Sequence, residues 1–136
     1  MPVYTVTADI YNVVSSKVVA ELTDDTAGVT VDTDIIDSAL ERAESVVDSY
    51  VGKVYTVPLS TPVLASVEHA VVTLAACYLY RRRPGATPDE VKEACERTVE
   101  WLEKVAAGTI ELADETPATD AADEGNDTET FSKMVF

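Results

Sequence analysis

Three stretches of this chain repeat apolar residues at spacings of three and four. That period restricts it to a helical fold. The first stretch begins at a cap, Asp32 or Thr33, and runs to about Val51. It places Ile36, Ala39, Leu40, Ala43, Val46, Val47 and Tyr50 on one stripe, and Gly52 stands at its stop. The second opens at Thr61-Pro62, read as N-cap and first helical position, and runs to about Arg82 with Leu64, Val67, Val71, Leu74, Ala75 and Tyr78 inward. Thr87-Pro88-Asp89-Glu90 combines cap, proline and two acids to start the third. Its buried side is expected to be Val91, Ala94, Cys95, Thr98, Trp101, Leu102 and Val105, with Gly108 as the stop.

Shorter elements precede these. Thr7 offers an N-cap, with Asp9 in the first turn of a helix through about Val14, and Ser15 opens another over Ser16–Leu22. Thr23–Gly28 is turn-rich, and Lys53–Leu59 is β-branched and extended. Ile110 and Leu112 are expected to fold back as an apolar clasp. The short connection between the second and third long helices forces an antiparallel hairpin. The expected fold is all-α: an antiparallel bundle of three long helices plus two short N-terminal ones over residues 1–112, with an extended tail over 113–136. Ala113–Thr130 is polar and aperiodic, too poor in apolar residues to order itself. Phe131, Met134, Val135 and Phe136, with Lys133 among them, turn apolar again and have the make-up of a docking peptide. An 18-residue tether reaches at most about 60 Å.

Composition excludes several roles. No apolar run of membrane-spanning length occurs, and the start lacks the basic and apolar regions of a signal peptide, so the expected place of action is where the chain is made. Ten Lys+Arg face 25 Asp+Glu, for a net charge of −15. Such a surface repels phosphate and disfavours sequence-specific nucleic-acid binding. Few basic and many acidic residues, with abundant Val, Thr and Ala, suit a halophilic cytosol, where molar salt shortens screening to about 3 Å.

Order and spacing of several motifs resemble one family. They are Tyr4-Thr5-Val6-Thr7-Ala8-Asp9-Ile10; Leu22-Thr23-Asp24-Asp25; Ala39-Leu40-Glu41-Arg42-Ala43 with Asp48-Ser49-Tyr50-Val51-Gly52; Tyr55-Thr56-Val57-Pro58-Leu59; Tyr78-Leu79-Tyr80-Arg81-Arg82-Arg83; and Trp101-Leu102-Glu103-Lys104-Val105-Ala106-Ala107-Gly108 with Leu112. Phe131-Ser132-Lys133 is similar to the family's aromatic–Ser–basic terminus. Together they resemble the head–tail connector (adaptor) proteins of Mu-like tailed phages, over about residues 3–112. The resemblance implies a helical subunit forming a ring, usually a dodecamer, under the portal. It also implies a C-terminal segment that reaches a neighbour or the portal. The extreme acidity and the long Ala113–Thr130 linker depart from the family.

Partners expected on this basis are other copies in the ring, the portal protein and the next neck or tail protein. The expected location is the virion neck, with the host cytoplasm during assembly. Phe131, Lys133, Met134, Val135 and Phe136 are the candidate docking residues; Tyr80, Arg81, Arg82 and Arg83 are the candidate ring contacts. The basic triplet is equally readable as the cationic end of a helix. No catalytic, cofactor or metal residues are expected. His69 is the sole histidine and has no nucleophile motif near it. Asp32–Asp37 lacks the central glycine and distant glutamate of a calcium loop and reads as capping. Cys77 and Cys95 lie level across the hairpin, where a disulfide is conceivable, but a reducing cytosol favours two small buried hydrophobes. Trp101, Tyr50 and Tyr78 are expected in the core. Two rival readings are another neck or tail-completion protein, expected to be strand-rich, and a free acidic regulator of a basic partner, which leaves the ordered motifs unexplained.

The charge gives a first test. Thermal unfolding in KCl from about 0.1 to 3 M, as screening shortens from about 10 to 3 Å, should show a rising midpoint. Equal midpoints at both ends would remove the halophilic reading.

Overall fold

The computed structural model describes residues 2–59, 61–83, 85 and 87–112. A 3-10 helix, Thr7–Asn12, is followed by α1 (Ser16–Thr23), α2 (Thr33–Val51), α3 (Ala65–Tyr80) and α4 (Asp89–Ala106). No strand occurs among the described residues, and the fold is all-α. Two short elements and three long helices match the expected count and order. The expected tail over 113–136 lies outside the described residues.

Asp32 caps α2 as expected, its carboxylate accepting from the amides of Asp34 and Ile35 at 3.0 and 3.3 Å. Ser15 caps α1 through the Val18 amide. α4 ends in a Schellman motif: Gly108 adopts φ 80°, the Thr109 amide bonds Lys104 O at 2.9 Å, and the Gly108 amide bonds Val105 O at 3.1 Å.

Three starts differ from expectation. α3 begins at Ala65, because Leu64 stays extended (φ −59°, ψ 147°) and half-buried against the core; Thr61-Pro62 lies before the helix. Pro88, not Thr87, is the N-cap of α4, and it has no capping side chain. At the first turn Val6 is the extended N-cap, and its amide donates to the Asp9 carboxylate at 2.8 Å. The Thr7 hydroxyl instead donates to Asp37 on α2. Gly52 follows α2 in right-handed conformation; what it supplies is space, since a Cβ there would stand 2.7 Å from Asp48 O.

α3 is the central element. Val67, Ala70 to Cys77 and Leu79 are all buried, so it is enclosed nearly all round rather than along one stripe. It packs most extensively on α2, then on α4. α2 contributes Ile36, Leu40, Ala43, Val47 and Val51, each at or near zero exposure. α4 is held unevenly. Leu102 and Val105 in its last turns are fully buried, whereas Val91, Ala94, Cys95, Thr98, Val99 and Trp101 are only half-buried. Trp101 therefore borders the core rather than filling it, because the α3 face opposite it is a shallow groove. Tyr50 and Tyr78 are likewise half-buried against the core. Leu112 folds back and is buried, and its amide donates to the Tyr55 hydroxyl at 2.7 Å. Ile110 packs beside it, which completes the expected clasp.

This unevenness orders two substitutions. Leu102→Ala should cost about 2–5 kcal/mol, as buried leucines do. Trp101→Ala, although it removes a larger side chain, should cost less, about 1–2 kcal/mol, because the ring is only partly buried at the edge of the core. Urea unfolding of both variants decides the order. The reverse ranking would mean that Trp101 is enclosed.

Candidate interaction site

Two surfaces are fixed by polar side chains that the fold brings together from distant parts of the sequence. At one, the N-terminal segment is tied to α2. Glu44 is buried, and its carboxylate accepts from the amides of Val3, Tyr4 and Thr5 at 2.8, 2.9 and 3.1 Å, and from the Thr5 hydroxyl at 3.0 Å. A desolvated carboxylate is tolerated only with such a set of donors. One helical turn on, Asp48 accepts from the Tyr4 hydroxyl at 2.6 Å, and that hydroxyl accepts from the Leu59 amide at 2.9 Å. Burial, followed by the hydrogen bond to Asp48, holds the Tyr4 hydroxyl far above its ordinary range. Burial also raises Asp48, with the Glu44 charge adding to it, while the Tyr4 bond works the other way.

The segment held this way still exposes apolar side chains. Val3 and Val6 are 65% and 63% exposed, and Tyr11 of the 3-10 helix and Val13 just after it are 41% and 40% exposed. Anchored from beneath with apolar side chains outward, this edge is a candidate surface for a partner.

The second surface lies at the C-terminal end of α3. Arg82 donates through Nε to Leu22 O at 2.9 Å and through its terminal nitrogen to Asp25 at 2.5 Å. Arg83 donates to the same Asp25 oxygen at 2.9 Å and to Asp24 O at 3.3 Å. These two arginines clamp the loop after α1. Arg83 and then Arg82 hold the Asp25 carboxyl below the usual range. Asp24 organises the same loop, taking the amides of Thr26 and Ala27 on one oxygen and those of Val29 and Thr30 on the other. Those amides depress its carboxyl strongly. Arg81 is different: it is exposed, and its guanidinium lies 5.5 Å from the Tyr78 ring centroid, with Arg42 at 4.3 Å from the same ring. Tyr80 is half-buried against the core. So of the four candidate ring contacts, Arg81 and Tyr80 keep surface available, while Arg82 and Arg83 are engaged within the chain. Phe131, Lys133, Met134, Val135 and Phe136 lie outside the described residues.

His69 sits in a groove of about 270 Å³ between α3 and α4, beside Thr73, Arg97, Thr98 and Trp101. Its Nε2 is 3.5 Å from the Thr73 hydroxyl, and no carboxylate or thiol lines the groove. Asp32 and Asp37 serve separate contacts, and among the described residues no group of three His, Cys, Asp or Glu converges as a metal set would. Among them, no helix is long and apolar enough to cross a membrane.

The family model described as Bacteriophage Mu, Gp36 matches residues 4–130. The chain belongs to this family. It is also similar to the Mu-like prophage FluMu protein gp36 of Haemophilus influenzae, 38% identical over 77 residues, which is 57% of this chain and 52% of that protein. The match thus spans about half the length of the relative. Family membership agrees with the resemblance drawn from Tyr4–Ile10, Ala39–Gly52 and Tyr78–Arg83.

Sequence reasoning missed Glu44, Asp48 and the Asp25 clamp. A signal for the first was present: Leu40, Glu44, Val47 and Val51 share one helical face, so Glu44 interrupts an apolar stripe. A charge in that position needs donors, and only the N-terminal segment supplies them.

Two variants separate the anchor's parts. Glu44→Ala leaves three amides unpaired and should cost about 3 kcal/mol or more, since hydrogen bonds to charged groups are worth about 1.5–3 kcal/mol each. Asp48→Asn keeps an acceptor for Tyr4. Because the folded Asp48 value lies above its unfolded one, ionisation weakens the fold as pH rises through that window. At neutral pH the amide should therefore cost less than about 1 kcal/mol or stabilise. Urea midpoints at neutral pH check both. A large loss in Asp48→Asn would show that the charge itself supports the fold.

Proposed function

We propose that this protein is a structural subunit of a Mu-like tailed phage, an adaptor in the neck that assembles into a ring between the portal and the tail. Its work is assembly rather than catalysis. The observation that carries the reading is the match of a Mu phage family to residues 4–130, nearly the whole chain. The anchored N-terminal edge supports it, with exposed Val3, Val6, Tyr11 and Val13 that an assembly would cover. A closed ring needs two different complementary faces on every subunit. The N-terminal edge supplies one. Arg81 and Tyr80 supply part of the other, a cationic spot on a chain of net charge −15 that fits an acidic neighbour.

The subunit would act in the virion neck after assembling in the host cytoplasm, and the charge suits a virus of a halophilic host. The apolar residues Phe131, Met134, Val135 and Phe136, with Lys133, are proposed to dock on the portal. Each large side chain buried there is worth roughly 1.5–3 kcal/mol, and repetition around a ring multiplies the gain through effective concentration.

Deletion of Phe131–Phe136 tests the docking directly. The truncated chain should fold and remain soluble, yet fail to retain the portal in a pull-down that the intact chain passes. Equal retention by both would end the docking proposal. Failure of the truncated chain to fold would assign those residues to the domain's own core.

A further inference from the structure

We propose that Cys77 and Cys95 form a redox-sensitive latch that fastens the N-terminal half of α4 onto α3. The two cysteines are joined as a disulfide across the hairpin, 18 residues apart in sequence and 6.3 Å apart at Cα. This replaces the expectation of two small buried hydrophobes. Level placement on antiparallel helices brings their Cβ atoms within bridging range.

Three observations give the bond a task. First, α4 has no fully buried residue before Leu102; Val91, Ala94, Cys95, Thr98 and Val99 are only partly buried. Second, the start of α4 carries no side-chain cap. A helix end with few buried contacts and an uncapped start opens locally at low cost. Cys95 lies in this loose half, and Cys77 lies on α3, the most enclosed helix of the bundle, at 3% exposure. Third, Cys77 has an alternative partner where it stands. Its sulfur is 3.0 Å from the Thr73 carbonyl. A disulfide sulfur carries no proton, so this contact is a hydrogen bond only in the thiol form. Both redox states are therefore accommodated on α3, and only the attachment of α4 changes.

The chemistry is thiol–disulfide exchange with a small-molecule disulfide, such as oxidised glutathione. The partly buried Cys95, as thiolate, attacks that disulfide. A mixed disulfide forms and one small thiol leaves. Cys77, giving up the proton shared with Thr73 O, then attacks the Cys95 sulfur and expels the second small thiol. The two cysteines lose two electrons and two protons, and the small disulfide is reduced to two thiols. In a reducing compartment the latch is open, and in an oxidising one it is shut.

The full chain, equilibrated with oxidised or reduced glutathione, tests this by intact mass after alkylation and by amide hydrogen exchange. After oxidation the monomer should be lighter by two hydrogens and resist alkylation. On reduction, amides of 89–99 should exchange about tenfold faster, while those of 67–79 do not change. Cys95→Ala should exchange like the reduced protein under both conditions. Cysteines that stay alkylatable in oxidised glutathione, a disulfide between two chains, or equal exchange of 89–99 in both states would each overturn the latch.

Discussion

The buried carboxylate of Glu44 is the contact on which the rest of this structure depends. It gathers three consecutive backbone amides and a hydroxyl from Val3, Tyr4 and Thr5. Without that acceptor the buried amides of Tyr4 and Thr5 would be left unpaired, which a small domain does not tolerate well. With it, a segment of no regular structure becomes a fixed edge. Tyr4 continues the chain of contacts, donating to Asp48 and accepting from Leu59, so the connection between α2 and α3 is secured to the same edge. Tyr55 repeats the device at the other end of that connection by taking the Leu112 amide. Two tyrosine hydroxyls and one glutamate thus close the segments that helix packing leaves open.

The same logic governs the α1–α2 loop. Asp24 folds it by accepting four amides, and Asp25 takes both Arg82 and Arg83. A basic triplet at a helix end suggests a contact with another molecule. Here two of its three members are occupied by the chain's own loop, and only Arg81 faces outward. The triplet therefore offers less free positive charge than the sequence implies. Among the described residues, what stays outward is Arg81 at the end of α3 and the apolar side chains of the N-terminal edge, which the proposed ring would cover.

Much of the fold was legible because helical period and capping are local signals. Asp32, Ser15 and Gly108 fixed ends that the structure retains, and the Ile110–Leu112 clasp followed from apolar residues placed after a stop. What was not legible depended on distance. Thr61-Pro62 has the composition of a helix start, yet packing of Leu64 in extended form delays α3 to Ala65. Trp101 lies on the inward stripe of α4, but a groove opposite leaves it only partly buried. Glu44 and Asp25 acquire their roles only from residues about 40 and 57 positions away. The candidate docking residues were drawn from the apolar make-up of 131–136 after a polar tether, and the candidate ring contacts from a basic cluster at a helix end; no local signal distinguishes a side chain awaiting a partner from one simply facing water.

The central claim is that this chain is a neck subunit, and a cryo-EM map of the virus neck tests it most directly. The account expects this helical domain repeated in a closed ring between portal and tail, with Val3, Val6, Tyr11 and Val13 covered by the adjacent subunit. A complete neck map that lacks the chain, or one that leaves this edge in solvent, would contradict it.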